Sequence, residues 1–240
     1  RYDSSAWYYA DAAQGYYNAQ AALKKRRRTA RYLCREGYVR NLNRLAVVLI
    51  DLGQSDSAAA TVHQAQQDSL ILGPENYHIS SGFSILAIVN YNKGNFQKAT
   101  ALSEEALARR LRILPDTHPD IALQYSNLGA MYAKLGAHEQ ALAYHNKALA
   151  LRLKTLGADH PKVATCYMNI GIVHQRAGDY PLALACYQKS LAIKRRVLVA
   201  NHPEIAEGLN NLATVYARTG DYAAARTCYE QALNILQQSL

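Results

Sequence analysis

Apolar side chains recur at every third or fourth position along most of the chain, which is the spacing of one face of an α-helix. In the clearest example, the apolar positions before Gly178 are Val163, Tyr167 and Ile170, and those after it are Tyr180, Ala183, Tyr187 and Leu191. Strict alternation of apolar and polar residues, which is typical of strands, is absent. The pattern therefore predicts an all-α chain built from pairs of helices.

The helical pattern repeats at a fixed 42-residue interval. His-Pro occurs at His118-Pro119, His160-Pro161 and His202-Pro203, and glycine keeps the same interval at Gly94, Gly136, Gly178 and Gly220. An interval held without insertion indicates one structural module stacked on like neighbours. Such a stack offers a long repeated surface rather than one enclosed pocket, so the pattern favours a binding protein over a catalyst.

Turn and cap residues mark where the two helices of each unit meet. Gly178 is predicted to end the first helix in a left-handed conformation. Asp179 and Asp221 follow the central glycines and are predicted to cap the second helices. Pro181 falls in the first turn of its helix, where the missing N–H costs nothing.

Small residues hold fixed positions in both helices, which lets the helices approach closely. The first helices carry Ala46, Ala87, Gly129, Gly171 and Ala213, and the second helices carry Ala58, Ala99, Ala141, Ala183 and Ala225. Tyr132, Tyr187, Tyr216 and Tyr229 are predicted to fill the neighbouring space.

This order of leucine, small residue, aromatic residue and glycine resembles the tetratricopeptide repeat. An ordinary unit of that family has 34 residues, and the eight extra residues here extend the second helix by about 12 Å, through Ala150 to Leu156. Long second helices, a Leu-Gly-x-Asp-His-Pro loop at 156–161 and Asn-Leu-Ala in a first helix resemble the repeats of kinesin light chains, over about residues 76–240. The resemblance implies a right-handed superhelical solenoid of antiparallel helix pairs.

The repeat divides the chain into six segments. We predict a divergent or partial basic repeat at 1–34, fitting loosely around Gly15, followed by repeats at 35–75, 76–117, 118–159, 160–201 and 202–240. The chain stops within a helical pattern at Leu240, so we expect the last helix to be truncated.

An asparagine column is the first candidate for a binding surface. Asn127, Asn169 and Asn211 keep the interval of the repeat, and Asn210 adjoins the last of them. A carboxamide donates and accepts hydrogen bonds, so it can pair with a peptide backbone. The resemblance implies that the first helices line the concave groove and that these asparagines touch a ligand. Alternatively, each asparagine bonds a neighbouring helix or merely faces solvent.

A cation column follows seven residues after each asparagine, at Lys134, Arg176 and Arg218. Three cations at repeat spacing favour an acidic peptide or a terminal carboxylate. Alternatively, each cation compensates the dipole at the end of its own helix. Apolar groove contacts are predicted from Met168, Ile172, Ile88 and Tyr91. In the upstream repeats Ile85 and Arg44 replace asparagine, and Asn92 and Asp51 replace the cation, so we expect recognition in the three C-terminal repeats.

The strongest run of charge is Lys24-Lys25-Arg26-Arg27-Arg28, which Arg31 and Arg35 continue. Residues 1–44 hold ten Lys or Arg and three Asp or Glu, whereas the rest of the chain holds 17 and 15. The run is either a solvated helix face, a nuclear-import signal or a docking patch for an acidic partner. No nucleic-acid-binding module accompanies it, so nucleic acid is not the expected partner.

Composition bears on whether the chain spans a membrane and on the redox state of its compartment. No apolar run approaches the roughly 20 residues that span a bilayer. Cys34, Cys166, Cys186 and Cys228 lack metal-type spacing, and Cys186 and Cys228 occupy equivalent positions in neighbouring repeats. We therefore expect reduced, packing cysteines in a cytoplasmic protein.

Catalysis, metal binding and cofactor binding are not expected. The loop histidines His118, His160 and His202 recur with the repeat, about 10 Å apart, which is too far for them to share one ion. No glycine-rich phosphate loop or nucleophile elbow occurs in the sequence.

The sequence thus predicts a scaffold or adaptor that binds a peptide segment of a partner protein, and the resemblance implies a link to cargo or the cytoskeleton. Two alternatives stay open. One is a structural subunit of a large microtubule or axonemal assembly that docks through the basic N-terminal region. The other is a regulatory repeat region of a larger enzyme.

Overall fold

The computed structural model describes residues 2–22 and 28–238, and these residues form helices joined by short loops, without a strand. The helices are α1 Tyr2–Ala22, α2 Arg28–Asp51, α3 Ser55–Gln66, α4 Ser69–Leu72, α5 Tyr77–Asn92, α6 Phe96–Ile113, α7 Pro119–Lys134, α8 His138–Leu156, α9 Pro161–Ala177, α10 Tyr180–Val197, α11 Pro203–Arg218 and α12 Tyr222–Gln238. The predicted all-α class of stacked helix pairs is confirmed.

The chain forms two compact units, which we call unit 1 (residues 1–124) and unit 2 (residues 125–240). In unit 1, α1 packs on α2, α2 on α3, and α5 on α6. In unit 2, α8 packs on α9, α9 on α10, α10 on α11, and α11 on α12. Loops of two or three residues inside each helix pair make the paired helices antiparallel.

The long second helix predicted from the 42-residue repeat is present. Helix α8 continues through Ala150 and Leu156, and α10 reaches Val197 without a break. The repeat at 35–75 differs, because its second helix ends at Gln66 and a separate turn, α4, follows. At the N-terminus, Gly15 lies inside the continuous helix α1 rather than at a turn, so the predicted fit of residues 1–34 around a central Gly15 is wrong.

The predicted helix ends are also confirmed. Gly178 has a φ of 82° and ends α9, a conformation that glycine adopts without a steric cost. Asp179 and Asp221 accept hydrogen bonds from the backbone N–H groups of Leu182 (3.4 Å) and Ala224 (3.0 Å). Each cap satisfies an N–H group that the helix cannot pair internally.

The recurring histidines are helix caps. The Nδ1 atoms of His118, His160 and His202 accept hydrogen bonds from the backbone N–H two residues ahead, at 3.2, 3.1 and 3.2 Å. An imidazole can accept there only in its neutral form with the proton on Nε2. The proline that follows each histidine opens α7, α9 or α11, where its missing N–H has no consequence.

Large rings of the second helices pack against the small residues of the first helices. A Cβ at Gly171 would lie 2.6 Å from the Tyr187 ring, and one at Gly129 would lie 2.6 Å from the His145 ring. Tyr187 and His145 are buried, with exposed fractions of 1% and 2%. Each glycine therefore sets the separation of its helix pair, because its missing side chain is the space that the ring occupies.

At three equivalent positions of the repeat, a buried cation joins the end of a second helix to the next first helix. Arg110, Arg152 and Lys194 stand one repeat apart and are at most 7% exposed. Arg110 Nη1 donates to Gln124 Oε1 at 3.0 Å, and Arg152 Nη1 donates to the Lys162 carbonyl at 3.2 Å and to Cys166 Sγ at 3.1 Å.

Lys194 has a different set of partners from the two arginines. Its Nζ lies 3.2 Å from Glu204 Oε2 and 3.3 Å from Glu207 Oε2, and it also donates to the Glu204 carbonyl at 3.3 Å. The corresponding residue of the repeat at 35–75 is an acid, Asp68, which pairs with Arg35 at 2.8 Å. Burial raises the pKa of Asp68, while Arg35 opposes that shift.

We predict that Gly171→Ala lowers the free energy of unfolding by about 1–3 kcal/mol, because the new Cβ displaces the buried Tyr187 ring. Gly15→Ala is the matched control, since Gly15 is a helical glycine with open space around its Cβ position, and it should stabilise the chain by up to about 1 kcal/mol. Urea unfolding followed by circular dichroism measures both changes. Equal effects of the two substitutions would contradict the role assigned to the ring.

We also predict that His145 makes the stability depend on pH. Burial, and then the Arg152 charge, lower the pKa of His145 to about 4, against about 6.5 in an unfolded chain. In the unfolded chain the imidazole of His145 is therefore protonated below about pH 6.5, whereas in the folded chain it stays neutral until about pH 4. Stability is complete above about pH 6.5 and falls by up to about 3 kcal/mol as the pH drops to 4.

His145→Phe keeps a flat ring against Gly129 but cannot take up a proton. We expect its unfolding free energy to decrease less than that of the parent between pH 6.5 and 4. Urea unfolding at intervals of half a pH unit measures this difference. Parallel pH profiles for the two proteins would show that His145 does not cause the loss.

Candidate functional site

The asparagine column lies on the face of the first helices that points away from the second helices. Asn127, Asn169 and Asn211 precede Gly129, Gly171 and Ala213 by two residues, which is about 200° around a helix. Since Gly129 and Gly171 face the rings of α8 and α10, Asn127 and Asn169 point to the opposite side, and Asn211 holds the same position on α11.

The three asparagine side chains are half-buried, and none of them hydrogen-bonds to another residue in the described part of the chain. The alternative in which each carboxamide bonds a neighbouring helix is therefore not seen in unit 2. Asn210, beside the column, is half-buried, and its carbonyl accepts a hydrogen bond from the Thr214 hydroxyl at 2.8 Å. The column presents donors and acceptors at one position of three successive first helices.

The cation column lies on the same face, because seven residues bring a helix back to nearly the same direction about 10 Å further along. Lys134, Arg176 and Arg218 are exposed. Arg176 Nη1 donates to the Ala133 carbonyl at 3.4 Å, near the C-terminal end of α7. The bond joins Arg176 to the end of the neighbouring first helix and not to the end of α9, so it does not test dipole compensation within its own helix. Arg218 has no polar partner among the described residues.

The apolar residues predicted to line the groove are shared with the core. Met168 and Ile172 are half-buried and pack against the cluster that joins α10, α11 and α12. Ile172 lies three residues after Asn169 and four before Arg176, so it is placed between the two columns. In unit 1, Ile88 and Tyr91 are half-buried, and Ile85, at the asparagine position, is 6% exposed and belongs to the core.

The basic docking patch lies mostly outside the described residues. Lys24, Lys25, Arg26 and Arg27 belong to the undescribed segment, Arg28 begins α2, and Arg31 is exposed on that helix. Arg35, which continues the run in sequence, instead forms the ion pair with buried Asp68. The guanidinium of Arg35 is therefore engaged in an ion pair within unit 1.

A polar cleft in unit 1 was not predicted from the sequence. Its volume is about 300 Å³, and it is lined by Gln14, Arg35, Tyr38, Gln64, Gln67 and Asp68. Several of these residues bond one another: Gln64 donates to the Tyr38 hydroxyl at 2.6 Å, and Arg35 pairs with Asp68. The lining residues come from three separate segments of the sequence, at 14, 35–38 and 64–68, and form no motif, which is why sequence reasoning missed the cleft.

Within the described ranges, no group of three or more His, Cys, Asp or Glu side chains is arranged to hold a metal ion. The four cysteines are free thiols. Burial raises the pKa of Cys166, Cys186 and Cys228, which does not favour the reactive thiolate. None of the described helices has the length and apolarity needed to cross a membrane.

Comparison with known proteins places this arrangement in a family. The sequence model of the tetratricopeptide repeat matches residues 78–154, 120–196 and 167–238, and these ranges together cover more than half of the chain. The chain belongs to the tetratricopeptide repeat family. No curated protein sequence matches it.

Solved structures of tetratricopeptide repeat type share the fold. BtubC (BKLC) from P. vanneervenii is 19% identical, with a TM-score of 0.83, covering 100% of this chain and 92% of that protein. A Podosopora anserina protein, described as a kinesin light chain with nearly identical TPR-like repeats, is 23% identical, with a TM-score of 0.72 and coverages of 84% and 96%. The Rap protein complexed with Competence and Sporulation Factor is 16% identical, with a TM-score of 0.67 and coverages of 85% and 54%.

These comparisons confirm the predicted resemblance to kinesin light chain repeats at the level of family and fold. The tetratricopeptide repeat is a scaffold for protein interactions, which is the general function that the family supports. The asparagine and cation columns stay predictions about where such an interaction occurs.

Two arginines of the cation column should differ in their effect on stability. Arg176→Gln removes a bond to the Ala133 carbonyl and should lower the free energy of unfolding by about 0.5–1 kcal/mol. Arg218→Gln removes no observed bond and should change it by less than about 0.5 kcal/mol. Thermal unfolding of the two variants checks this. A larger loss for Arg218→Gln would show that its charge supports the fold.

Proposed function

We propose that this tetratricopeptide repeat protein is a non-catalytic adaptor in which the first helices of unit 2 bind an extended segment of a partner protein. The observation that supports this most is the set of three half-buried carboxamides, Asn127, Asn169 and Asn211, that lack a hydrogen-bond partner within the described residues. Because no other described residue engages these carboxamides, their donors and acceptors are available to a ligand backbone.

The spacing of the column suits an extended peptide. Neighbouring packed helices lie about 8–10 Å apart, and an extended chain covers that distance in about three residues. Each asparagine would therefore meet a backbone amide at every third ligand residue. Because a carboxamide offers a donor and an acceptor together, it can hold both an N–H and a C=O group without selecting a side chain.

The cation column adds selectivity for acidic groups. Lys134, Arg176 and Arg218 are exposed about 10 Å from the asparagines on the same face. An acidic side chain or terminal carboxylate of the ligand would reach them with charge-assisted bonds. Arg218 is the best placed of the three for this role, because Arg176 already donates to the Ala133 carbonyl. Met168 and Ile172 would contact an apolar ligand residue between the columns.

The biological setting that we propose is the linkage of cargo or cytoskeletal components in the cytoplasm. It is supported by similarity in fold to a protein described as a kinesin light chain. The Rap structure, which contains Competence and Sporulation Factor, shows that a related fold binds another molecule. These two proteins are only 23% and 16% identical to this chain, so the choice of partner rests on the groups that this chain exposes.

A library of acidic peptides about ten residues long, tested by fluorescence anisotropy, checks the proposed groove. For the peptide that binds best, Asn169→Ala together with Asn211→Ala should weaken binding at least tenfold, since two hydrogen bonds of about 1 kcal/mol each are lost. The control is Asn146→Ala together with Asn234→Ala, which removes two exposed asparagines from second helices. If both pairs of substitutions weaken binding equally, the first-helix face is not the site.

The high charge of residues 1–44 favours a second candidate function, which is docking of the basic run on an acidic assembly. Replacement of the basic run with glutamine distinguishes this function from the adaptor function. The residues replaced are Lys24, Lys25, Arg26, Arg27 and Arg28. Capture on an acidic partner that depends on these residues, while the asparagine variants bind normally, would favour the structural-subunit function. Partner binding that is lost in the asparagine variants but kept after the glutamine replacements would favour the adaptor function.

A further inference from the structure

Most of the positive charge of unit 2 is on its second helices. Helices α8 and α10 together contain seven Lys or Arg and one Asp or Glu, whereas the first helices α9 and α11 contain three and two. Arg152 and Lys194 are buried. The remaining five cations of α8 and α10 are exposed: Lys147, Lys154, Lys189, Arg195 and Arg196.

Four of these cations form a regular array with four exposed alanines. The pattern Ala-x3-Lys-x2-Ala-x3-Lys/Arg occurs on both helices in the same position of the repeat, and we call the result the alanine–cation face. It consists of Ala143, Lys147, Ala150 and Lys154 on α8, and Ala185, Lys189, Ala192 and Arg196 on α10. Both helices pack on α9, and all eight residues are exposed.

The pattern is absent from the equivalent positions of the neighbouring second helices. In α6, Glu105 takes the place of the first cation, and in α12 both cation positions are glutamines, Gln231 and Gln238. The array therefore belongs to two repeats and is not a general property of the repeat architecture.

Contacts below the face hold the first cation of each pair in place. Lys147 Nζ lies 5.2 Å from the centre of the Tyr144 ring and 5.7 Å from that of Tyr125. Lys189 Nζ lies 5.5 Å from the centre of the Tyr167 ring. A cation held over an aromatic ring loses less freedom when a ligand binds. Arg196 pairs with Asp159, while no described acid pairs with Lys154.

We infer that the alanine–cation face is a second docking surface, separate from the asparagine column, and that it binds an acidic α-helix of another protein. Along each helix the cations are seven residues apart, or about 10 Å, and a helix lying alongside presents carboxylates at the same interval when they occur every seventh residue. The alanines between the cations let the backbone of that helix approach to the lower end of the roughly 8–10 Å range.

The chemistry of the face favours an acidic helix over other polyanions. The rings near the lysines are half-buried beneath them, so they offer no stacking surface for the bases of a single strand. Alanine is the apolar residue of the pattern, whereas helices that bind a lipid surface present Trp, Phe or Leu. A complementary helix needs only carboxylates and small residues.

The test uses a fluorescein-labelled, alanine-rich helical peptide with glutamate at every seventh residue, and anisotropy measures its binding to the chain. We expect saturable binding that weakens as the salt concentration rises. Lys147→Gln, Lys154→Gln, Lys189→Gln and Arg196→Gln combined should weaken it at least tenfold. The control replaces four exposed cations that lie outside both proposed surfaces, Lys93→Gln, Lys98→Gln, Lys162→Gln and Arg226→Gln, and should change it less than twofold.

A second variant tests contact rather than net charge. Ala150→Trp together with Ala192→Trp keeps every cation but blocks close approach, so it should also weaken binding at least tenfold. If this variant binds as the parent does, the attraction is diffuse and the docking surface is refuted. If a DNA duplex or phosphatidylserine vesicles bind more tightly than the peptide, through the same cations, the acidic helix is refuted. Circular dichroism melting of each variant confirms that it is folded.

Discussion

The arrangement of unit 2 depends on large rings of the second helices that occupy the space left by glycine in the first helices. Tyr187 lies where a side chain of Gly171 would be, and His145 holds the same place against Gly129. This contact sets both the separation and the rotation of the pairs α7–α8 and α9–α10. Because Gly129 and Gly171 face inward, Asn127 and Asn169, two residues earlier, face outward. The contact that packs the core therefore also determines that the asparagines of the candidate site are on the outer face of the first helices.

The two helices of each repeat in unit 2 expose different chemistry. First helices expose carboxamides that lack partners within the described residues, together with a few cations, which suits hydrogen bonding to a ligand backbone. Second helices expose cations separated by alanines, which suits electrostatic docking of a rigid element. Because the helices are antiparallel and packed through their small residues, both surfaces are displayed without disturbing the core between them.

The helices and their ends could be predicted from the sequence because local signals determine them. The local signals are Gly178, which ends a helix, Asp179, which caps the next one, and the apolar spacing within each helix. Because these signals recur at a fixed interval, helix ends predicted in one repeat can be predicted in the next. The prediction for segment 1–34 is wrong around Gly15, since a glycine alone does not end a helix when the flanking residues continue it.

Other features could not be predicted because they depend on contacts between residues distant in sequence. Arg110, Arg152 and Lys194 resemble ordinary surface cations in the sequence, and only their shared place in the repeat hinted that they are buried alike. Their partners differ from one repeat to the next, so no motif reveals them. The same applies to Arg176, whose bond to the Ala133 carbonyl joins neighbouring first helices.

These differing partners help the repeats of this chain to assemble in the right order. Lys194 meets two carboxylates at its junction, whereas Arg152 meets a carbonyl and a thiol at the one before it. If Lys194 stood where Arg152 stands, its partners would be the Lys162 carbonyl and the Cys166 thiol, and its buried charge would lose the carboxylates of Glu204 and Glu207. Burying a charge without a partner of opposite sign costs free energy. The residues at each junction therefore favour the native order of the hairpins.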